Sequence, residues 1–155
     1  MKTLETGQTA PEFTLDLAGG GSLSLAGILS RGPALFVFYK VSCPTCQLAL
    51  PYLQRLQGGP FQVFAINQND AEQVCEFNAA FDVELPTLID HASHGYPVSN
   101  AFAITHVPSL FLVEPDRTIS WSWIGFHKEK FQELAARAGR VIFREDERVP
   151  ESKSG

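Results

Sequence analysis

The feature that most constrains the fold is an unbroken apolar run followed closely by two cysteines. Residues 34–39 read Ala-Leu-Phe-Val-Phe-Tyr, and Cys43-Pro44-Thr45-Cys46 begins after three intervening residues. A strand-sized run without a polar face is typical of a central strand covered on both sides in an α/β sheet. Apolar residues then recur at helical spacing through residues 44–57, interrupted by Pro51. The sequence therefore predicts a buried strand, a tight turn, and a helix with both cysteines at its start.

That placement gives the cysteine pair a chemical meaning. The first N–H groups of a helix are unpaired and carry partial positive charge, which favours a thiolate. A thiolate is the nucleophile of disulfide exchange. Two intervening residues let the second thiol reach back to the first. We therefore predict a redox dithiol in which Cys43 attacks and Cys46 resolves.

Two plainer interpretations compete with the dithiol. The pair could be half of a zinc site, or two inert core cysteines. Zinc needs two further ligands, and no second close Cys or Cys/His pair exists among the other candidates, which are Cys75, His91, His94, His106 and His127. We therefore expect no metal. We expect Cys75, beside Val74 and Phe77 on a predicted helix, to be a small buried side chain, although a regulatory or resolving thiol is an alternative.

Hydrophobic periodicity predicts the remaining elements. Alternation over 13–25, with a turn at the glycines 19–21, predicts a β-hairpin. Further strands are predicted at 61–66, 87–89, 109–113 and 118–124, and helices at 69–81 with Asp70 as N-cap, 96–103 and 128–139. Strands alternating with helices, followed by two strands close in sequence, indicate a mixed sheet of the α/β class. Trp121 and Trp123 are expected to share one face of the last strand.

Composition limits the partners and the domain count. The chain has 155 residues, 45% of them hydrophobic, and a net charge of −5. One domain over residues 1–143 is expected, with a hairpin extension at about 11–27 and a charged, frayed tail at 144–155. A negative chain without a membrane-length apolar run is not expected to bind nucleic acid or membranes. The N-terminal residues lack the apolar core of a secretory signal, so a complete gene product would be expected in the cytoplasm.

Four stretches of the chain are similar to the thioredoxin-like superfamily. The resemblance extends over about residues 8–140, and its redoxin branch includes peroxiredoxins and TlpA-like thiol–disulfide oxidoreductases. The matching stretches are the strand at 36–39 with Cys43-Pro44-Thr45-Cys46, the helix proline Pro51, the loop Thr105-His106-Val107-Pro108-Ser109, and the redoxin-type opening Gly7-Gln8-Thr9-Ala10-Pro11-Glu12-Phe13-Thr14-Leu15.

The resemblance implies a thioredoxin fold: a central mixed sheet flanked by helices, here with an N-terminal hairpin extension. It implies a cis bond before Pro108, with Val107 pairing with the backbone of a bound partner. Protein or small-molecule disulfides would be the substrates, and an external thiol or disulfide reductase would recycle the protein without a cofactor. The implied site comprises catalytic Cys43 and Cys46, the loop and substrate-binding residues Pro44, Thr45, Val107 and Pro108, and the tuning candidates Lys40 and His106.

Departures from the family pattern bear on the choice of activity. Peroxiredoxins place a threonine three residues before the reactive cysteine and a proline four residues earlier. This chain has Lys40 and Phe36 there. The pattern therefore favours thiol–disulfide exchange over a thiol peroxidase. A non-enzymatic module, whose dithiol switches a binding surface, is the third candidate.

The carboxylates that often accept protons near such a dithiol are also missing. Val37 stands where thioredoxins have a buried aspartate, and Ala49 stands where many TlpA-like proteins have a glutamate. Glu84, Glu114 or a water molecule are the substitutes to consider.

Overall fold

The protein is a mixed α/β fold built on one seven-stranded sheet. A computed structural model describes residues 2–154. The strand order is β2-β1-β5-β4-β3-β6-β7. These strands are β1 Thr14–Leu17, β2 Ser22–Ser24, β3 Ala34–Tyr39, β4 Gln62–Asn67, β5 Thr87–Ile89, β6 Ser109–Val113 and β7 Ile119–Ile124. The strands β3, β4 and β5 are parallel neighbours, while the pairs β3–β6 and β6–β7 are antiparallel.

Within the described residues, five helices and a small second sheet accompany the main sheet. The helices are α1 Leu25–Leu29, α2 Pro44–Leu53, α3 Ala71–Ala80, α4 Pro97–Ala101 and α5 Lys128–Ala138, with single 3₁₀ turns at Gln54–Leu56 and Ala92–His94. Two short strands, β8 Phe126–His127 and β9 Ser152–Lys153, pair antiparallel with each other. The predicted capping box at Asp70 is confirmed, because its carboxylate accepts the Gln73 N–H and the Gln73 side chain accepts the Asp70 N–H.

Strand β3 is buried along its whole length, as the sequence predicts. Alternate residues of β3 pack into two cores on opposite faces of the sheet. Leu35, Val37 and Tyr39 join one core with α2 and α5, and Phe36 and Phe38 join the other with α1 and α4. Both faces of this strand must therefore be apolar. Since β3 leads directly into the cysteine turn, the two cores also fix the position of the candidate site.

The N-terminal hairpin is confirmed, although it is shorter than predicted. β1 and β2 pair antiparallel with Leu15 opposite Leu23. Residues 25–27, predicted as the end of the hairpin extension, begin α1 instead. The Ser24 hydroxyl accepts the Gly27 N–H and caps the helix. A serine N-cap can outweigh a short alternating pattern, because it satisfies a backbone donor at the helix start.

The expectation of a frayed C-terminal tail is wrong for residues 144–154. Arg55 forms a two-bond ion pair with Glu147, with both N–O distances at 2.7 Å. The Lys128 N–H donates to the Glu151 carbonyl, and β9 pairs with β8. Composition alone missed this arrangement because the contacts join positions roughly 25–90 residues apart in sequence.

None of the helices within residues 2–154 is both long enough and apolar enough to cross a membrane.

Phe38 provides a direct test of the second core. Its ring lies 5.1 Å from that of Phe102 and 5.7 Å from that of Phe111, measured between centroids. Phe38→Ala should lower the free energy of unfolding by about 3–5 kcal/mol, because it removes a buried ring and leaves a cavity. Urea denaturation measures the change. The control Val141→Ala, at a side chain 81% exposed, should stay within about 0.5 kcal/mol; equal losses in the two variants would contradict this packing.

Candidate active site

Cys43 lies at the start of α2, where the sequence predicts the reactive thiol. It is the N-cap residue, and its Sγ accepts the backbone N–H of Cys46 at 3.1 Å. Pro44 occupies the first helical turn, where a missing N–H costs nothing. The Cys43 side chain is partly exposed. The geometry thus presents an accessible sulfur that already accepts a helix-start hydrogen bond, an arrangement that suits a thiolate.

Cys46 is its buried counterpart. The residue has no exposed surface and belongs to the core between α2 and the sheet. Burial raises the pKa of the Cys46 thiol well above its ordinary value, and the hydrogen-bonding neighbour Cys43 raises it further. Both cysteines are free thiols. The unequal exposure matches the predicted division of roles, with Cys43 outside and Cys46 behind it.

The loop before β6 brings a backbone carbonyl to the same sulfur. β6 runs antiparallel to β3, with Ser109 opposite Phe38, so residues 105–108 lie beside the cysteine turn. The Val107–Pro108 bond is cis, as expected. The Cys43 thiol donates to the Val107 carbonyl at 3.5 Å. Cys43 therefore lies between α2 and the proline loop, where a partner backbone could pair with Val107.

Asn69 lies at the site, although the sequence analysis did not predict it there. Its Oδ1 accepts the backbone N–H of Val41 at 3.1 Å, and Gln47 donates from Nε2 to the Val41 carbonyl at 3.3 Å. Together the two side chains hold the turn that leads into Cys43. A signal was available, because Asn69 follows β4, and the carboxyl ends of parallel strands meet at one edge of a sheet.

The other predicted site residues divide by exposure. Pro44 and His106 are exposed, and the His106 ring contacts the Thr105 hydroxyl at 3.0 Å. Lys40 is exposed, while its carbonyl accepts the Cys43 N–H at 3.2 Å. Thr45 is only 3% exposed, and its hydroxyl donates to the Ser154 carbonyl at 2.7 Å. The tuning roles of Lys40 and His106 stay predictions.

Neither candidate glutamate is placed to take protons from the dithiol. Glu114 follows Val113, which pairs with Ala34 at the opposite end of β3, and it accepts a bond from Ser120. Glu84 is exposed beside Gln54, beyond the far end of α2. Both expectations are therefore wrong. A water molecule, the third substitute considered from the sequence, stays a prediction.

Tyr39 is a buried hydroxyl near the dithiol. Burial raises the pKa of Tyr39 to about 12, with Cys46 among the nearby groups. Its hydroxyl donates to Asn78 at 3.3 Å. The phenol therefore stays protonated at neutral pH.

Cys75 does not lie in a core. It is exposed on α3, so the expectation of a buried side chain is wrong. Val74 and Phe77 face inward from the same helix, and Cys75, one residue after Val74, falls on the outer face. Among residues 2–154, no three His, Cys, Asp or Glu side chains gather into a metal-binding group.

Fold and site together define a thioredoxin-like redoxin with a Cys-X-X-Cys pair. The AhpC/TSA family model matches residues 6–122, more than half of the chain, and the protein belongs to that family. A thiol:disulfide interchange protein, DsbE, from Vibrio cholerae is 25% identical over 138 residues. The match covers 88% of this chain and 74% of the relative.

Solved structures show the same fold at lower identity. The thioredoxin domain of a thiol-disulfide oxidoreductase from Bacteroides vulgatus superposes with a TM-score of 0.76 at 18% identity, covering 88% of this chain and 99% of that one. The peroxidoxin BcpB from Mycobacterium tuberculosis gives a TM-score of 0.65 at 19% identity, covering 77% and 85%. The fold thus accommodates both disulfide exchange and peroxidase proteins, and the site must decide between them.

Unequal reactivity of the two thiols tests the site. In a reduced Cys75→Ser protein, Cys43 should react with iodoacetamide at least about tenfold faster than Cys46 at neutral pH, because Cys46 is buried and its raised pKa keeps it protonated. Peptide mass spectrometry after timed quenching gives both rates. The same reaction in urea is the control and should bring the rates together. Faster labelling of Cys46 in the folded protein would contradict the assignment.

Asn69→Ala tests how the Cys43 turn is held. Loss of one hydrogen bond to Val41 should slow alkylation of Cys43 by about 3- to 10-fold, because a net bond energy near 1 kcal/mol no longer orients the turn. Thermal unfolding should change little, since Asn69 lies at the sheet edge rather than in either core. The matched control is Gln68→Ala at the adjacent residue. An unchanged Cys43 rate in Asn69→Ala, or an equal loss in the control, would rule out this role.

Proposed function

We propose that this protein is a thiol–disulfide oxidoreductase whose redox group is the Cys43–Cys46 pair. The observation that carries this is the accessible Cys43 sulfur, bonded to the Cys46 N–H at 3.1 Å and facing the Val107 carbonyl, with a buried second thiol behind it. The relationship to DsbE-type interchange proteins supports the same activity.

The reaction proceeds in two exchanges. The Cys43 thiolate attacks one sulfur of a substrate disulfide, forming a mixed disulfide and expelling the other substrate sulfur as a thiolate. The Cys46 thiolate then attacks the Cys43 sulfur, releasing the second substrate sulfur and leaving a Cys43–Cys46 disulfide. Two electrons have passed to the substrate. An external thiol or disulfide reductase then supplies two further electrons and reduces the Cys43–Cys46 disulfide back to the dithiol.

The surrounding groups support each stage. During attack, the Cys46 N–H stabilises negative charge on Cys43. The Val107 carbonyl lies 3.5 Å from the sulfur, where an extended partner segment can pair with the backbone of the loop. Asn69 and Gln47 keep the turn in place while the sulfur changes partners.

Trapping the mixed disulfide tests the proposal. Cys46→Ser should accumulate a covalent adduct with a disulfide substrate such as oxidised glutathione, because the resolving thiol is absent. Cys43→Ser should form no adduct at that position. Intact-protein mass spectrometry in a Cys75→Ser background reads both results. Equal adduct formation through Cys46 in the Cys43→Ser protein would overturn the order of attack, and no adduct in either variant would overturn the proposed activity.

The same proteins separate exchange from peroxidase chemistry. Family membership and the peroxidoxin fold relationship favour a peroxidase as the second candidate. Against it, position 40 carries an exposed lysine rather than a hydroxyl. Hydroperoxide consumption with a thiol donor should be slow compared with disulfide reduction. Hydroperoxide consumption faster than disulfide reduction would instead support a role in antioxidant defence. The cytoplasmic location stays a sequence-based prediction.

Resolution of the mixed disulfide should depend on pH. Because burial raises the pKa of Cys46, its thiolate fraction increases as the pH rises. The release rate should therefore increase about tenfold per pH unit between roughly pH 7 and 9. Rapid-quench release of a preformed glutathione adduct on Cys43 measures it. A rate independent of pH over this range would show that Cys46 is already ionised, contrary to its burial.

A further inference from the structure

Residues 150–154 lie against the cysteine turn. Thr45 lies between the two cysteines, yet it is 3% exposed while the adjacent Pro44 faces solvent. The Thr45 hydroxyl donates to the Ser154 carbonyl at 2.7 Å. A residue from far along the chain thus covers one side of the turn that carries the reactive sulfur.

Two separate attachments hold this segment. The first attachment lies just before residues 150–154 in sequence. There Arg55 donates twice to Glu147 at 2.7 Å and once to the Ile142 carbonyl at 2.8 Å. The hydrogen bonds from Arg55 lower the pKa of Glu147 to about 2, so the pair stays ionised at neutral pH. Val149 then packs against the core that contains α2.

The second attachment is a strand pairing next to the site. In β8 and β9, Phe126 lies opposite Lys153 and His127 opposite Ser152. The Lys128 N–H donates to the Glu151 carbonyl at 2.8 Å. β8 follows Gly125, whose N–H donates to the Pro108 carbonyl at 2.8 Å. The segment is therefore attached to the same framework that holds the proline loop.

These contacts bring two backbone segments to the cysteine turn. The loop before β6 contacts the Cys43 sulfur through the Val107 carbonyl. The segment 150–154 contacts Thr45, two residues further along, through the Ser154 carbonyl.

We propose that residues 150–154 form a wall of the substrate groove and determine which disulfides reach Cys43. The wall admits disulfides in small molecules or in extended, flexible segments, and it hinders those set in the surface of a folded protein. This rests on the proposed function, and it names the substrate class of that same site.

The test compares a small and a bulky thiol reagent. All variants carry Cys75→Ser, so that Cys43 is the accessible thiol. Cys43 is labelled with N-ethylmaleimide and with a branched polyethylene glycol maleimide, and the ratio of the two rates is recorded. Both reagents use the same thiol chemistry, so a change in Cys43 reactivity alone cancels in the ratio.

The decisive variant ends after Val149. It removes β9 and Ser154 but keeps the Arg55–Glu147 pair and the packing of Val149. The labelling rate with the bulky reagent should increase roughly 5- to 30-fold relative to that with the small one. The reason is that labelling no longer requires residues 150–154 to detach from the fold. Lys153→Ala is the matched control, since it keeps the backbone pairing and should leave the ratio unchanged.

Thr45→Val provides a second variant if the truncated protein does not fold, as judged by urea denaturation. It deletes the hydroxyl donor to Ser154 while preserving shape, and it should shift the ratio in the same direction by less. An unchanged ratio in whichever variant folds would overturn the proposal. An equal shift in Lys153→Ala would also overturn it, because charge rather than the wall would then be responsible.

Turnover separates this inference from the proposed function. The parent protein should reduce oxidised glutathione, and the truncated variant should gain mainly on disulfides of folded proteins. Failure of the parent protein to reduce any disulfide would contradict the oxidoreductase activity. The labelling ratio would still report whether the wall exists, because it requires no turnover.

Discussion

The site depends on one hydrogen bond, from the Cys46 N–H to the Cys43 Sγ. It exists because α2 begins just beyond the carboxyl end of the central strand β3, with Cys43 as its N-cap. A helix start offers unpaired donors to whatever side chain caps it, and here that side chain is a sulfur. The antiparallel neighbour β6 then brings Val107 to the same atom. The nucleophile is therefore oriented by backbone groups, which the two apolar cores hold in place.

The same architecture makes the two thiols unequal. Cys43 is partly exposed at the cap, whereas Cys46 faces the core three residues later, and burial raises its pKa. Since Glu84 and Glu114 lie away from the dithiol, the structure offers neither as a base for Cys46. The first exchange can therefore start from an accessible sulfur, while the second depends on deprotonating a buried one.

Much of the site could be predicted because its signals are local. The apolar run, the spacing of the cysteines and the Val107–Pro108 sequence are each read from a few adjacent residues. Asn69, the exposure of Cys75 and the docking of residues 144–154 were missed. Asn69 acts on Val41 across neighbouring strands, the exposure of Cys75 depends on the orientation of α3, and Glu147 finds Arg55 at a distance of 92 positions. Tertiary contacts of this kind leave no periodic pattern, and a charged, apolar-poor stretch resembles a disordered tail whether or not it has a partner.

The most direct test of the central claim is an equilibrium redox titration of the Cys75→Ser protein against glutathione or dithiothreitol buffers. The account predicts one two-electron transition, with a loss of two hydrogens by mass on oxidation, and its abolition by Cys46→Ser. The midpoint would also give the direction of transfer, since values near about −270 mV belong to reductants and values near about −120 mV to oxidants. If no Cys43–Cys46 disulfide forms at any poise, the pair is not a redox dithiol and the oxidoreductase account is contradicted.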